Sequence, residues 1–364
     1  MIRQIYISAK KRDYDNPMLL QQEALFEMHS PDGSLDKASE LLQKATKLAP
    51  YNKALVHSLS ELARKKAENS VNEIEKNKYR QDAMKIAETL IRGSITAHPY
   101  HTLIKIGLDE LEDLLIKGDE ASTERKIKDL EKSISSALQQ FPDDSYIRDV
   151  EANFCTLISK HEQALKALER AFEVNKRSSY IASRLAKVYE ANKKLPDAIR
   201  ILNECLEVNP SEKHINYQVA MLLYQTPNSN RADILHHLRR SFTIGDNNYV
   251  AQFWCARHLY LDGSRSDAIE LFQRLSDVNI DSRVKREPRG IVTENDVPKR
   301  FAGIVSKIEA SYAFIIRDEI QDAIFTYSAH NDPNEWNKLS YHKRVKFDLG
   351  FNYRGPYALN VSLE

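Results

Sequence analysis

Glycine is scarce in this chain, with 10 glycines among 364 residues, against a usual share of about 7%. The shortage argues against an all-β protein built on glycine turns and against a dinucleotide-binding α/β enzyme. Long apolar runs are missing too: no stretch approaches the roughly 18 residues of a membrane span, and the N-terminus lacks the apolar core of a secretory signal. These absences predict a cytoplasmic protein without a membrane segment.

Neither sign of charge dominates the chain, which has 53 Lys+Arg and 52 Asp+Glu. No protein-wide basic field therefore exists to hold nucleic acid or an anionic membrane, and any such binding must be local. The three cysteines, Cys155, Cys205 and Cys255, show no CxxC or Cys/His spacing. They predict a reducing compartment, packing roles in apolar helical stripes and no metal site.

Motifs of common enzyme classes are also absent. The sequence holds no GxxxxGK[ST], GxGxxG, HExxH or nucleophile elbow. The adjacent histidines His236 and His237 fall in a helical pattern, where neighbouring side chains diverge and do not form a metal site. The sequence predicts a non-enzymatic protein with no cofactor and no bound metal.

What the chain does contain is an internal repeat. The string Ala164-Leu165-xx-Leu168-xx-Ala171 returns 34 residues later as Ala198-Ile199-xx-Leu202-xx-Cys205, and again from Ala268. Further copies begin at Ala38, Ala83 and Ile234, and each follows a helix with its own small/large pattern. Small residues let two antiparallel helices approach closely, so each unit is predicted to be a helical hairpin.

These units resemble the tetratricopeptide repeat. The copy at 179–212 has the small, aromatic and proline positions of that pattern at Ala186, Tyr189, Ala198, Cys205 and Pro210. The copies near 51–100 and 101–144 have longer helices or inserts. We expect about seven hairpins over residues 17–280, forming a mainly α solenoid.

The resemblance implies a concave wall of first helices that binds a peptide or protein. The residues expected to face the partner there are Asn153, Tyr180, Lys187, Phe253, Arg257 and Tyr260. The alternative is that the polar members of this set only form a solvated face. Residues 1–16 precede the first hairpin and have the pattern of a strand-like or extended stub.

The residue pattern of the sequence changes after Ile280. Residues 281–298 combine proline, glycine and mixed charges without helical periodicity, which predicts a linker. Alternating apolar residues follow in five short runs over 299–364, at 304–305, 313–316, 323–327, 345–347 and 357–361. Five short strands predict a small closed or nearly closed barrel.

This C-terminal region resembles the cold-shock domain. Residues 303–305, 311–315, 322–328 and 354–361 follow that family's pattern in order and spacing. The resemblance implies an OB-type barrel that binds single-stranded RNA or DNA by stacking bases on aromatic rings of its second and third strands. The residues it assigns to nucleic-acid binding are Tyr312, Phe314, Phe325, Tyr327, Lys307 and Arg354.

The register of the third strand stays open at this point. An anchor on Ser328 puts Ile324, Thr326 and Tyr327 on the outer face, whereas an anchor on Phe325 puts Phe325 and Tyr327 there. One residue of slippage exchanges the two faces of a strand. Segment 281–364 holds 13 Lys+Arg and 12 Asp+Glu, so binding must depend more on aromatic rings than on charge.

The two regions together predict an adaptor or sensor whose helical array holds a protein partner and whose barrel contacts single-stranded nucleic acid. The combination resembles the recognition halves of large bacterial multidomain proteins, including defence proteins. By that analogy, an effector domain upstream or on a neighbouring subunit would be the array's partner. The alternative function is a pure protein-interaction scaffold whose barrel docks protein or self-associates.

Overall fold

Two compact units divide the chain in a computed structural model, Met1–Leu185 and Ala186–Glu364. The structure describes residues 15–92, 94–294 and 296–364, together with Tyr6 and Asp13. The stub predicted for residues 1–16 lies almost wholly outside the described residues. Every described helix is too short or too polar to cross a lipid bilayer.

Fourteen described helices precede the barrel region in seven successive pairs. They are α1 Pro17–His29, α2 Leu35–Leu48, α3 Lys53–Asn69, α4 Glu73–Ile91, α5 His98–Lys117, α6 Glu120–Gln140, α7 Ser145–Leu157, α8 His161–Val174, α9 Ser179–Ala191, α10 Leu195–Val208, α11 Lys213–Gln225, α12 Arg231–Arg240, α13 Tyr249–Leu261 and α14 Arg265–Asp277. Helices α3 to α6 have 17 to 21 residues, against 10 to 14 for the other ten. The predicted array of about seven hairpins and its longer early copies are confirmed.

Capping and small residues explain these hairpins locally. Asn16, Ser34, Asn52 and Asp144 each accept backbone hydrogen bonds at a helix start, which satisfies otherwise unpaired N–H groups. The repeat alanines are buried, and five of them are 0% exposed: Ala38, Ala83, Ala171, Ala198 and Ala268. The three cysteines are buried and free, in agreement with the predicted packing role.

In unit 2 the helices are followed by short elements and a barrel. These are α15 Ser282–Arg286, β1 Thr293–Glu294, β2 Val297–Pro298, β3 Arg300–Ile308, β4 Tyr312–Arg317, β5 Ala323–Tyr327, a 3-10 turn Ser328–His330, α16 Pro333–Trp336, β6 Arg344–Asn352 and β7 Gly355–Leu363. The barrel closes in the order β3-β4-β5-β7-β6. Its strands are antiparallel neighbours except for the parallel pair β5 and β7. The predicted five-stranded barrel is confirmed, and every predicted run lies within a strand.

The barrel shares one hydrophobic core with the last helices of unit 2. This core joins Leu238, Phe253 and Phe272 of the helices to Phe347 and Phe351 of the barrel. The rings of Phe272 and Phe351 stack with centroids 6.1 Å apart and planes 8° apart. The barrel is therefore packed against the last helices of unit 2.

Residues 285–292 of the predicted linker are part of this packing, which corrects the prediction of a linker for that stretch. The backbone N–H of Arg289 donates to the carbonyl of Phe351 at 2.7 Å, and that of Val292 donates to Leu349 at 2.8 Å. Asn352 donates through Nδ2 to the carbonyl of Arg286 at 3.3 Å. Sequence composition marks the loss of helical periodicity here, but it does not show these backbone bonds to strand β6.

Candidate nucleic-acid interface

Four aromatic side chains lie side by side on the outer face of β4 and β5. The antiparallel register places Tyr312 opposite Tyr327 and Phe314 opposite Phe325. Because alternate residues of a strand point to opposite faces, the four rings share one surface while their neighbours fill the barrel. We call Tyr312, Phe314, Phe325 and Tyr327 the aromatic platform.

The rings of the platform contact one another closely. Tyr312 and Phe325 stack with centroids 5.8 Å apart and planes 21° apart. Phe325 meets Phe314 edge-on at 5.2 Å and Tyr327 at 4.6 Å. All four side chains are half-buried, so part of each ring remains open to solvent. This is a surface on which flat, apolar groups can stack.

The structure selects one of the two registers left open for β5. Ile324 and Thr326 are 0% exposed inside the barrel, whereas Phe325 and Tyr327 face outward. The anchor on Phe325 is therefore the observed one. Cross-strand pairing of Phe325 with Phe314 supplies an aromatic contact that the other register would lose.

A bulge in β3 brings a cation to the platform. The pairing of β3 with β4 shifts between Val305 and Lys307, and an extra residue at such a point redirects the side chains that follow. The Lys307 Nζ donates to the Tyr312 hydroxyl at 3.0 Å and lies 5.3 Å from the centre of its ring. The hydrogen bond to Tyr312 raises the pKa of Lys307, which keeps the amine charged.

The second predicted cation is not part of this group. Arg354 is exposed in the turn between β6 and β7, and the described residues show no contact between it and the platform. Arg286 takes that place instead, with its guanidinium 5.7 Å from the centre of the Tyr327 ring. Arg286 was missed because it lies in the predicted linker, although the basic run there could have indicated it.

In unit 1 the predicted partner-facing residue Asn153 contacts a residue that the sequence did not single out. Arg184 donates through Nη2 to Asn153 Oδ1 at 2.6 Å and also binds the carboxylate of Asp149. Burial raises the pKa of Asp149, although Arg184 opposes the shift. Arg184 also lies 5.7 Å from the ring of Tyr180, which is 54% exposed.

The same face carries a second exposed ring. Tyr146 is 48% exposed and meets His101 edge-on at 5.9 Å. Burial, with Lys105 contributing, lowers the pKa of His101 to about 3, so this histidine is neutral at physiological pH. Lys187, also predicted to face a partner, belongs to unit 2 and is exposed on α9.

The remaining three predicted partner residues are buried, which corrects their assignment. Phe253, Arg257 and Tyr260 are 1%, 2% and 5% exposed. Phe253 packs on Tyr353 at 5.5 Å and Tyr260 on Phe351 at 5.5 Å. The barrel covers this face of α13, so the three side chains are not available to a separate protein.

Within the residues that the structure describes, no group of three or more His, Cys, Asp or Glu could hold a metal ion. No protein-family model and no curated protein sequence matches the chain.

Several solved structures are similar to it. A thermophilic TPR protein of Thermus thermophilus is 16% identical, with 57% of this chain and 99% of that chain covered and a TM-score of 0.43. Pseudomonas aeruginosa pilF is 14% identical, with 73% of this chain and 93% of that chain covered and a TM-score of 0.39. The human IFIT1 dimer with m7Gppp-AAAA is 14% identical, with 74% of this chain and 65% of that chain covered and a TM-score of 0.43. At this level of similarity none of them indicates what this chain binds.

Proposed function

We propose that the barrel binds single-stranded nucleic acid, RNA or DNA, on the aromatic platform. The observation that carries the proposal is the presence of four partly open rings on one face of two adjacent strands. Every base has a π-face, and stacking on such rings contributes about 1–3 kcal/mol per base. The closed strand order, with its parallel β5–β7 pair, further supports an OB-type barrel of the cold-shock kind.

Charge supports this function only weakly. Lys307 and Arg286 flank the platform, but Glu309 lies 3.6 Å from the Lys307 amine. Binding should therefore depend on stacking and should fall only modestly as salt rises, because few phosphate contacts release few counterions. Bases of any kind should be accepted, since the platform offers ring faces rather than a set of hydrogen-bonding groups.

Fluorescence anisotropy with labelled single strands of about 12 nucleotides tests this function. Tyr312→Ala or Phe325→Ala should weaken binding about 5- to 150-fold, the range that 1–3 kcal/mol corresponds to. Tyr341→Ala is the matched control, because Tyr341 is a 61% exposed ring outside the platform. Circular dichroism of each variant checks the fold. If no strand binds the wild type at low salt, the barrel does not have this function.

A second function is supported by the face of unit 1 that carries Tyr146, Asp149, Tyr180 and Arg184, which we call the open face. We infer that this face binds an extended segment of a protein partner, as an adaptor would. Tyr146 and Tyr180 are 48% and 54% exposed, and Arg184, which pairs with Asp149, lies 5.7 Å from the centre of the Tyr180 ring. Exposed tyrosines next to a fixed cation are typical of surfaces that bind peptides.

Site-specific photocrosslinking in cells tests this second function. A benzoylphenylalanine replacing Tyr146 or Tyr180 should give the same discrete adduct, whereas the same group at Tyr51 should not. Tyr51 is 96% exposed in a loop and controls for random collision. Adducts at all three positions, or at none, would contradict a defined partner on this face.

A further inference from the structure

A cleft of about 820 Å³ opens beside α13 in unit 2. Its walls come from the end of α11, the loop that follows, the start of α12, and residues Val292, Thr293 and Asp296. Ligand pockets in proteins have volumes of about 300–1,000 Å³. The cleft is thus large enough for a small molecule, and it lies apart from the aromatic platform because none of the four rings lines it.

A buried guanidinium lies at the inner wall of this cleft. Arg257 is 2% exposed and contacts the rings of Tyr224 and Trp254 at 5.0 and 5.3 Å. It donates through Nε to the carbonyl of Gly290 at 2.8 Å and through Nη2 to the Tyr224 hydroxyl at 3.1 Å. Among the described residues no carboxylate forms an ion pair with it, although a buried charge normally requires one.

The neighbouring histidine presents an unused donor. His258 is 3% exposed, lines the cleft, and lies with its Nε2 3.3 Å from Arg257 Nη1. Because arginine can only donate, Nε2 must accept and the ring proton sits on Nδ1. That Nδ1 is buried and has no hydrogen-bond partner, and such a group calls for an acceptor.

A third basic group completes the set. Arg231 is exposed at the start of α12, lines the same cleft, and donates to the carbonyl of Leu261 at 2.6 Å. Among the described lining residues the acidic side chain is Asp296, which is exposed. Burial, together with Arg257 and Arg231, lowers the pKa of His258 to about 3. His258 is therefore neutral. The two guanidiniums of Arg231 and Arg257 still outnumber the carboxylate of Asp296 among the described lining residues, so positive charge exceeds negative charge in the cleft.

We propose that this cleft binds a small molecule bearing a phosphate group, with the phosphate against Arg257, His258 and Arg231. A phosphate monoester has a charge of about −1.5 to −2 at neutral pH and several acceptor oxygens, which suits two guanidiniums and a ring N–H better than a single carboxylate does. The hydroxyl-bearing residues Thr226, Ser229 and Thr293 line the cleft and suit a sugar body.

Isothermal titration calorimetry on the full chain tests the proposal with ribose 5-phosphate as the probe. Ribose 5-phosphate should bind, whereas ribose and acetate should give no detectable heat. Arg257→Gln and Arg231→Gln should each weaken binding at least about tenfold, the loss expected for a hydrogen bond to a charged group. Arg240→Gln, an exposed arginine on the same helix as Arg231, is the matched control and should bind normally.

Arg231→Gln keeps the test decisive if Arg257→Gln fails to fold, because Arg231 is exposed. Absence of binding to ribose 5-phosphate at millimolar concentration, equal binding by wild type and Arg231→Gln, or equally tight binding of acetate would each overturn the proposal. Arg257 would then serve only to join Gly290 to α13.

The phosphate could belong to a free sugar phosphate or to the end of a nucleic acid strand. Tighter binding of a 5′-phosphorylated oligonucleotide than of ribose 5-phosphate, lost in Arg231→Gln, would identify the strand end. The reverse order would identify the free molecule. Because the platform is also proposed to bind single strands, the two ligands are compared in Tyr312→Ala, a substitution that should leave the binding of ribose 5-phosphate unchanged.

Discussion

The first helices of two repeats, α7 in unit 1 and α13 in unit 2, differ in what covers them. Asn153 and Thr156 of α7 are half-buried and exposed, respectively, whereas the residues at the same repeat positions of α13, Arg257 and Tyr260, are 2% and 5% exposed. Both helices have the small/large pattern of the repeat. The pattern therefore specifies that a hairpin forms, and a separate event, the docking of the barrel, decides which face remains free to bind.

The strongest test of this difference removes a ring from the covered face. Phe253→Ala should destabilise unit 2 by about 3–5 kcal/mol, because a fully buried phenylalanine leaves a cavity. Chemical denaturation followed by hydrogen exchange would measure the loss and locate it. Exchange should accelerate in α13, α14 and β6. A loss below about 1 kcal/mol would mean that the barrel does not depend on this helix.

A smaller loss of stability is expected from a substitution at Gly290, where the backbone passes close to Arg257. Gly290 has a φ of +59°, and a Cβ there would lie 2.9 Å from the Cδ and Nε of Arg257. Gly290→Ala should therefore destabilise unit 2 by about 1–3 kcal/mol through backbone strain and displacement of the guanidinium.

Gly118→Ala is the control for Gly290→Ala. Gly118 has a φ of +69°, and a methyl group added there would have nothing within 4 Å, so it reports the strain without the clash. Thermal unfolding of both variants measures the difference. If Gly118→Ala is as destabilising as Gly290→Ala, the close approach of Gly290 to Arg257 contributes nothing.

Much of this arrangement could be predicted from the sequence, because hairpins and strands depend on local periodicity. The alanine strings located the helix pairs, and alternation located all five barrel strands. The burial of Arg257 could not be predicted, and the basic run that contains Arg286 does not indicate that Arg286 contacts the Tyr327 ring. Both depend on how residues 285–292 pack on the barrel, and no periodicity encodes that contact.

The register of β5 shows the same limit on a smaller scale. Phe325 and Thr326 are adjacent, and either fits an outward position by residue type. Pairing with β4 decides between them, since it sets Phe325 beside Phe314. A cross-strand contact of this kind lies outside what a single strand's sequence specifies.

The open face should respond to acid through His101. Its folded pKa of about 3 lies below the ordinary value of 6.5, so the unfolded chain binds a proton that the folded chain does not. Stability from this group is full above about pH 6.5 and falls as pH drops toward 3. Denaturation of wild type and His101→Gln at pH 7 and pH 4.5 measures it.

The variant should lose less stability than the wild type between those two pH values. His161→Gln, an exposed histidine at the start of α8, is the control and should behave as the wild type does. An unchanged pH dependence in His101→Gln would show that His101 is not held in its neutral form by burial.

The smallest change in stability is expected from removing the ring of Tyr180 on the open face. Tyr180→Ala should change the free energy of unfolding by no more than about 0.5 kcal/mol, because the side chain is 54% exposed and surface substitutions of this kind are nearly neutral. Urea denaturation measures this value beside that of Phe253→Ala. A loss for Tyr180→Ala that approaches the one expected for Phe253→Ala would show that Tyr180 is covered in solution, and the contrast between the open and the covered helix would then fail.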